Sequence, residues 1–166
     1  MSLISSVFIA TSLDGFIARE DGSLDWPDAA NVSVPEGEDC GYVSFMNSVD
    51  ALVMGRNTYE KVSSFGQWPY ENKSVIVLSS RDLDIPENLK STVEHSFESP
   101  DIFCDRLSEK GFNRLYIDGG ITIQRFLNYG LINDLTITVI PVIIGTGKSL
   151  FGKLENDIKL KHTSTK

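Results

Sequence analysis

Cysteine, histidine and basic residues are scarce in this sequence, and each shortage excludes a class of protein. The two cysteines, Cys40 and Cys104, cannot form a disulfide framework, and neither has the spacing of a metal or redox motif. The two histidines, His95 and His162, exclude a histidine-rich metal site. Lysine and arginine number 15 against 23 acidic residues, and the net charge of −8 opposes nonspecific binding to nucleic acid or anionic membranes. We therefore expect a cytoplasmic protein that binds a small molecule and no metal.

Long apolar runs, internal repeats and flexible linkers are also absent from the sequence. The apolar run near the N-terminus is short and has no basic segment before it. It is therefore predicted to be a first strand rather than a signal peptide or a membrane span. With 166 residues, of which 41% are hydrophobic, the chain has the size and composition of one globular domain. We expect a single domain over residues 1–166.

Short apolar segments alternate with helical patterns along the chain. The predicted elements are strands at 6–11, 51–54, 74–78, 115–117 and 135–139, with helices at 39–49, 99–110, 122–129 and after Gly55. Residues 20–38 are expected to form a long polar loop. Strands separated by helices favour right-handed crossovers and a parallel sheet. The predicted fold class is α/β, with three layers around a mainly parallel central sheet.

Two turns that follow predicted strands have the composition of anion-binding sites. Gly55 precedes a helix that opens with Arg56, and the pair Gly119-Gly120 precedes another helix that begins near Thr122. Free backbone N–H groups at a helix start attract anions, and glycine lets a ligand approach the backbone closely. Each turn alone is also compatible with an ordinary tight turn. Two of them on one sheet favour a bound dinucleotide.

A third turn carries Ser79, Ser80 and Arg81 after the strand at 74–78. An arginine at this edge could bind a ribose 2′-phosphate and so favour NADPH over NADH. An exposed arginine after a serine-rich turn is an equally good interpretation.

The candidate catalytic acid is Asp39. Val43 and Met46 follow it by four and seven residues, on the same face of the predicted helix. The carboxylate is therefore expected to face inward, with a pKa raised by desolvation, where it could hold and protonate a nitrogen heterocycle. The alternative is that Asp39 only caps the helix N-terminus.

Two other positions are candidates for the substrate site, and one motif is rejected. Trp26, in the polar loop, either lines a planar-ligand site or anchors the loop. Asp14 lies at the same end of the sheet but is most simply part of a turn. The segment Gly145–Ser149 looks like the end of a P-loop, but that motif needs a glycine where Val142 stands. A nucleotide triphosphatase is therefore not predicted.

Five segments, taken in order, resemble the dihydrofolate reductase-like superfamily. They are FIATSLDGFIA, DALVMGRNTYEKV, VIVLSS, LYIDGGITIQRFL and LINDLTITVIPVIIGTGKSLF, within roughly residues 3–152. They look most like the branch that contains the reductase (RibD C-terminal) domain of bacterial riboflavin biosynthesis. The resemblance implies NADPH lying across the carboxyl edge of the sheet, and hydride transfer to a C=N or C=O carbon.

The resemblance also implies roles for individual residues. By this resemblance, the phosphate-binding turn would be Gly55, Arg56, Asn57 and Thr58, and the pyrophosphate loop would be Gly119, Gly120, Ile121 and Thr122. The segment at the 2′-phosphate would be Ser79, Ser80 and Arg81. The strand backbone beside the nicotinamide would be that of Ala10 and Thr11. Asp39 falls where bacterial dihydrofolate reductases carry their pterin-binding acid. Asp14, Trp26 and Val43 are the further expected substrate contacts.

Three departures from the folate enzymes shape the functional prediction. The interval from Trp26 to Asp39 is longer than in dihydrofolate reductases, and SLDG and PVIIGTGKSLF are marks of the riboflavin-type branch. Relatives usually continue beyond LKHTSTK into another strand, so we expect this edge to be short, rearranged or completed by a partner chain in a homodimer. The prediction is an NADPH-dependent reductase of a pyrimidine- or pterin-like heterocycle. The alternatives are dihydrofolate reduction and a non-catalytic NADPH-binding module.

Overall fold

A computed structural model describes residues 2–30 and 34–166, without the side chains of residues 28–30. The strands are β1 (Ile4–Ser12), β2 (Phe16–Ala18), β3 (Ala51–Gly55), β4 (Ser74–Leu78), β5 (Val93–Ser96), β6 (Arg114–Asp118), β7 (Asp134–Ile140) and β8 (Lys148–Ser149). The helices are α1 (Asp25–Ala30), α2 (Tyr42–Ser48), α3 (Arg56–Ser63), α4 (Pro100–Glu109) and α5 (Gly120–Asn128), with one 3-10 turn at Glu87–Leu89. No described helix is long and apolar enough to span a membrane.

Six strands form one parallel sheet in the order β5-β4-β3-β6-β1-β7. A separate two-stranded antiparallel sheet joins β2 to β8. Because all six long strands run the same way, their carboxyl ends meet at one edge, where the following turns also gather. The expected α/β fold with a mainly parallel sheet is confirmed.

Helices cover both faces of the sheet because the central strands are apolar on both sides. On β3, Ala51 and Val53 pack in the same core as Phe103 of α4 and Phe126 of α5. The alternate residues of β3, including Met54, pack against Phe45 of α2 and against α3. Successive side chains of a strand point to opposite faces, so this division places one helical layer on each side.

The expected element boundaries fail mainly before α2. The predicted helix at 39–49 begins only at Tyr42, because Cys40 and Gly41 have left-handed backbone conformations, with φ of 54° and 86°. The expected polar loop at 20–38 contains the short helix α1, and residues 31–33 of it lie outside the described residues. The edge strand β5 was not predicted at all.

Candidate active site

The two central strands β1 and β6 separate as they approach the carboxyl edge of the sheet. They pair from Ile4 with Arg114 to Ser6 with Tyr116, and no pair joins them beyond that point in the described residues. β6 continues alongside β3 as far as Asp118, whereas β1 continues alongside β7 as far as Ser12. The separation leaves backbone of β1 around Ala10 without a sheet partner on the β6 side. It opens a crevice at the position predicted for the nicotinamide.

The two glycine turns at this edge pack against each other. A Cβ on Gly55 would lie 2.8 Å from the hydroxyl oxygen of Thr122, at the start of α5. A Cβ on Gly119 would collide with the hydroxyl oxygen of Thr58, at the start of α3. Gly119 also has a φ of 90°, which side-chain-bearing residues rarely adopt. The glycines therefore bring the N-termini of α3 and α5 together, which makes one anion-attracting surface from two helices.

A basic turn adjoins this pair of helices. Arg56 donates from Nη1 to the carbonyl oxygen of Asp82 at 2.7 Å and pairs through Nε with Glu60. The hydroxyl of Ser79 closes the turn through hydrogen bonds with the backbone of Arg81, whose own side chain is exposed. The predicted phosphate residues 55–58, 79–81 and 119–122 thus lie along one edge of one sheet.

Asp118 is an acid in the crevice that sequence analysis did not assign. It ends β6, is half-buried, and accepts a hydrogen bond from the Gly119 N–H at 2.9 Å. Its carboxyl group is closely surrounded by protein, and this burial raises its pKa from 3.8 to about 6, against the opposing effect of that hydrogen bond. Near neutral pH such a group can both hold and release a proton. A signal was present in the sequence, since Asp118 follows a buried strand directly.

Three tyrosines on the α2 side of the sheet lie near enough to Asp118 to be affected by its charge. Burial raises the pKa of Tyr42 and of Tyr70, and the nearby negative charge of Asp118 raises both further. Tyr116, two residues before Asp118 on the same face, donates its hydroxyl to the carbonyl oxygen of Phe8 at 3.0 Å. The neighbourhood of Asp118 therefore combines one carboxyl group with aromatic side chains, of which Tyr42 is exposed, and this combination suits a flat heterocycle with hydrogen-bonding edges.

The expected inward orientation of Asp39 is wrong. Its carboxylate is exposed and accepts hydrogen bonds from the backbone N–H groups of Gly41 and Val43, at 2.8 and 2.9 Å. These bonds lower its pKa, the opposite of the expected shift. The cause is the late start of α2, which leaves Asp39 in the turn before the helix. Val43 is 59% exposed, so the expected inward face is also wrong, and Phe45 is the residue of α2 that enters the core.

The other expected substrate contacts have structural roles in this arrangement. Trp26 lies in α1 and is only 3% exposed, as the loop-anchoring interpretation requires, although its indole N–H has no hydrogen-bond partner among the described residues. Asp14 accepts hydrogen bonds from the Ser12 hydroxyl and from the Gly145 N–H, at 2.6 and 2.8 Å. These bonds lower the pKa of Asp14 and tie the turn after β1 to the segment before β8.

The fold and the edge site define the class of the protein. A parallel sheet whose central strands separate, with two helix N-termini side by side at its carboxyl edge, is the architecture of the dihydrofolate reductase-like fold. The structure of dihydrofolate reductase from Enterococcus faecalis with NADP(H) has the same fold, with a TM-score of 0.59 and 21% identity over 92% of this chain and 79% of that one.

The chain belongs to the RibD C-terminal domain family, whose pattern matches residues 5–166. A protein from Shewanella sp. PV-4 with a proposed role in riboflavin biosynthesis is 44% identical, with a TM-score of 0.88 over 95% of this chain and 88% of that one. The Thermotoga maritima diaminohydroxyphosphoribosylaminopyrimidine deaminase/5-amino-6-(5-phosphoribosylamino)uracil reductase is 16% identical, with a TM-score of 0.70 over 97% of this chain and 51% of that one. The predicted superfamily and branch are both confirmed.

Proposed function

We propose that the protein is an NADPH-dependent reductase of a pyrimidine- or pterin-like heterocycle. The observation that carries the proposal is the contact between the two glycine turns, which places the N-termini of α3 and α5 side by side beside the β1–β6 crevice. A dinucleotide needs anion-binding backbone for its pyrophosphate and an open strand edge for its nicotinamide. The chain offers both within one edge, and reductases of its family and fold class support the same chemistry.

Each part of the edge has a role in this proposal. The backbone N–H groups at Gly119–Thr122 and Arg56–Thr58 would hold the pyrophosphate, and Arg81 the 2′-phosphate. The open backbone around Ala10 would orient the nicotinamide amide group. The bound cofactor supplies a hydride to a C=N or C=O carbon.

The substrate would lie beside Asp118, with its flat ring against Tyr42, which is 39% exposed. Asp118 would hold the ring by a hydrogen bond, and its protonated form can supply the proton that accompanies hydride addition. Asp39 remains the competing prediction for this acid. Its carboxylate would have to leave the N–H groups of Gly41 and Val43 to reach a substrate.

Cofactor binding is tested by titration with NADPH and, in parallel, with NADH, followed by tryptophan fluorescence. Trp68 is a built-in reporter, because its ring packs edge-on against Tyr59 of α3 and against Tyr70, which lies near Asp118, with ring centroids 6.0 and 5.2 Å away. We expect saturable quenching with a clear preference for NADPH. Binding of neither cofactor would remove the reductase proposal.

The substrate and the acid are tested together in a turnover assay. Dihydrofolate and phosphoribosylamino-uracil substrates are supplied with NADPH, and oxidation is followed for wild type, Asp118→Asn and Asp39→Asn. We expect Asp118→Asn to lower turnover with NADPH affinity kept, and Asp39→Asn to keep most of the turnover. The reverse pattern would assign the acid to Asp39, and NADPH binding without turnover of any substrate would indicate a non-catalytic module.

A further inference from the structure

An exposed aromatic ring stands beside the basic turn without a function in the fold. Phe97 follows the edge strand β5, is 63% exposed, and belongs to neither of the two hydrophobic core clusters. Its only aromatic neighbour among the described residues is His95, with ring centroids 4.2 Å apart. Burial in the core therefore does not explain the position of this ring.

The backbone holds Phe97 at the carboxyl edge of the sheet. Ser96 pairs with Leu78 at the end of β4, and its carbonyl oxygen accepts a hydrogen bond from Ser79 N–H at 3.1 Å. On the other side, Glu98 is fixed by Arg106 at 2.7 Å and by the Ser96 hydroxyl at 2.7 Å. The exposed ring is therefore presented by two anchored neighbours rather than by a loose loop.

Alternation along β5 sets which face Phe97 occupies. Val93 packs in the core with α2 and α3, so His95 and Phe97 continue on that face beyond the end of the core. His95 also reaches the next turn, because its Nε2–H donates to the carbonyl oxygen of Ser79 at 3.0 Å. A carbonyl oxygen can only accept, so this contact sets the Nε2–H tautomer.

These contacts put the aromatic ring next to the serine turn that carries Arg81. The guanidinium of Arg81 forms no salt bridge within the described part of the chain, and Glu98, the acid beside Phe97, is already neutralised by Arg106. An exposed flat ring and a cation without a salt bridge, carried on adjacent turns, match a purine base that has a phosphate on its ribose. Stacking on an aromatic side chain is favourable for any base, because every base has a π-face.

We propose that Phe97, positioned by His95, is the stacking platform for the adenine ring of the cofactor. This inference rests on the proposed function and extends it to the far end of the dinucleotide. Phe97 would contribute affinity for the adenosine half only, whereas Arg81 would choose between cofactors with and without the 2′-phosphate. The two contributions are separable because they act on different groups of the ligand.

The test uses fragments of the cofactor on the whole protein. Affinities of NADPH, 2′,5′-ADP and reduced nicotinamide mononucleotide are measured by calorimetry for wild type, Phe97→Ala and Phe97→Trp. We expect Phe97→Ala to lower the affinity for NADPH and for 2′,5′-ADP by about tenfold and to leave the affinity for the mononucleotide unchanged. Phe97→Trp should restore both lowered affinities. Tyr129→Ala is the matched control, since Tyr129 is 49% exposed and follows α5 at the opposite edge.

Each outcome has a distinct meaning. Equal 2′,5′-ADP affinity in wild type and Phe97→Ala would overturn the platform while leaving the reductase proposal intact. An equal loss of affinity for the mononucleotide would also overturn the stacking proposal, because the effect would not be confined to the adenosine half. A change in oligomeric state of Phe97→Ala, with unchanged affinity, would assign the ring to a contact between chains. Failure of wild type to bind NADPH and 2′,5′-ADP would instead remove the proposed function itself.

Discussion

Replacing Asp118 by asparagine is expected to stabilise the protein at alkaline pH while lowering its activity. The folded-state pKa of Asp118 is raised to about 6 from 3.8 by burial. The unfolded chain therefore loses this proton more readily than the folded chain does. The stabilising effect of the protonated Asp118 side chain is complete below pH 3.8 and is lost as the pH rises through about 6.

The size of the effect follows from that difference. Each pKa unit corresponds to 1.36 kcal/mol, so the charged carboxylate lowers the free energy of unfolding by about 3 kcal/mol at pH 8. Asparagine has nearly the same shape, keeps an acceptor for the Gly119 N–H, and carries no charge. Asp118→Asn should then be more stable than wild type by up to about 3 kcal/mol at pH 8, with little difference at pH 4.

Urea denaturation of the cofactor-free protein from pH 4 to 8 measures this difference directly. Asp39→Asn is the matched control of opposite sign, because backbone hydrogen bonds lower the pKa of Asp39. Its stabilising effect is present above pH 3.8 and is lost as the pH falls, so the variant should be less stable than wild type at pH 8. A difference between Asp118→Asn and wild type that does not change with pH would refute the buried-acid assignment.

Three other changes test separate parts of the structure. Arg81→Ala should reduce the preference for NADPH over NADH by about tenfold or more in binding titrations, and an unchanged preference would place Arg81 outside the site. Gly119→Ala should destabilise the fold by more than about 1 kcal/mol and abolish cofactor binding, because the new Cβ meets Thr58. Gly111→Ala controls for backbone strain alone, since Gly111 has a φ of 86° and open space around it. Burial raises the pKa of Cys104 to about 11 while Cys40 is exposed, so one thiol should react with a thiol reagent in the native state and the second only after unfolding. Two fast-reacting thiols would contradict the packing of α4.

The sheet was predictable from the sequence because its central strands are apolar on both faces. Ser74–Leu78 is a strand with the predicted bounds, and the turns at Gly55 and Gly119 fall where the strands end. The edge strand β5 was not predictable in the same way. Val93–Ser96 contains one strongly apolar residue, because an edge strand buries less of its surface.

The acid of the site was harder to predict because its environment comes from distant segments. Asp118 is half-buried at the end of β6, and neither the separation of β1 from β6 nor the nearness of Tyr42 and Tyr70 leaves a local pattern in the sequence. Asp39 matched a helical pattern that the left-handed residues Cys40 and Gly41 interrupt. Positive φ at a cysteine has no signal in a single sequence.

The strand order has a consequence for how the protein is made. Of the six strands in the sheet, β1 is synthesised first, whereas its neighbours β6 and β7 are the last two to be synthesised, with Ile4 beside Arg114 and Ser6 beside Asp134. The half formed by β3, β4 and β5 has its partners close in sequence and can assemble early. Pairing of β1 with β6 requires loop closure over most of the chain, which is slow. The crevice lies between these same two strands, so ligand-binding competence should be the last property acquired during folding, and a cofactor should speed the late step by trapping its product.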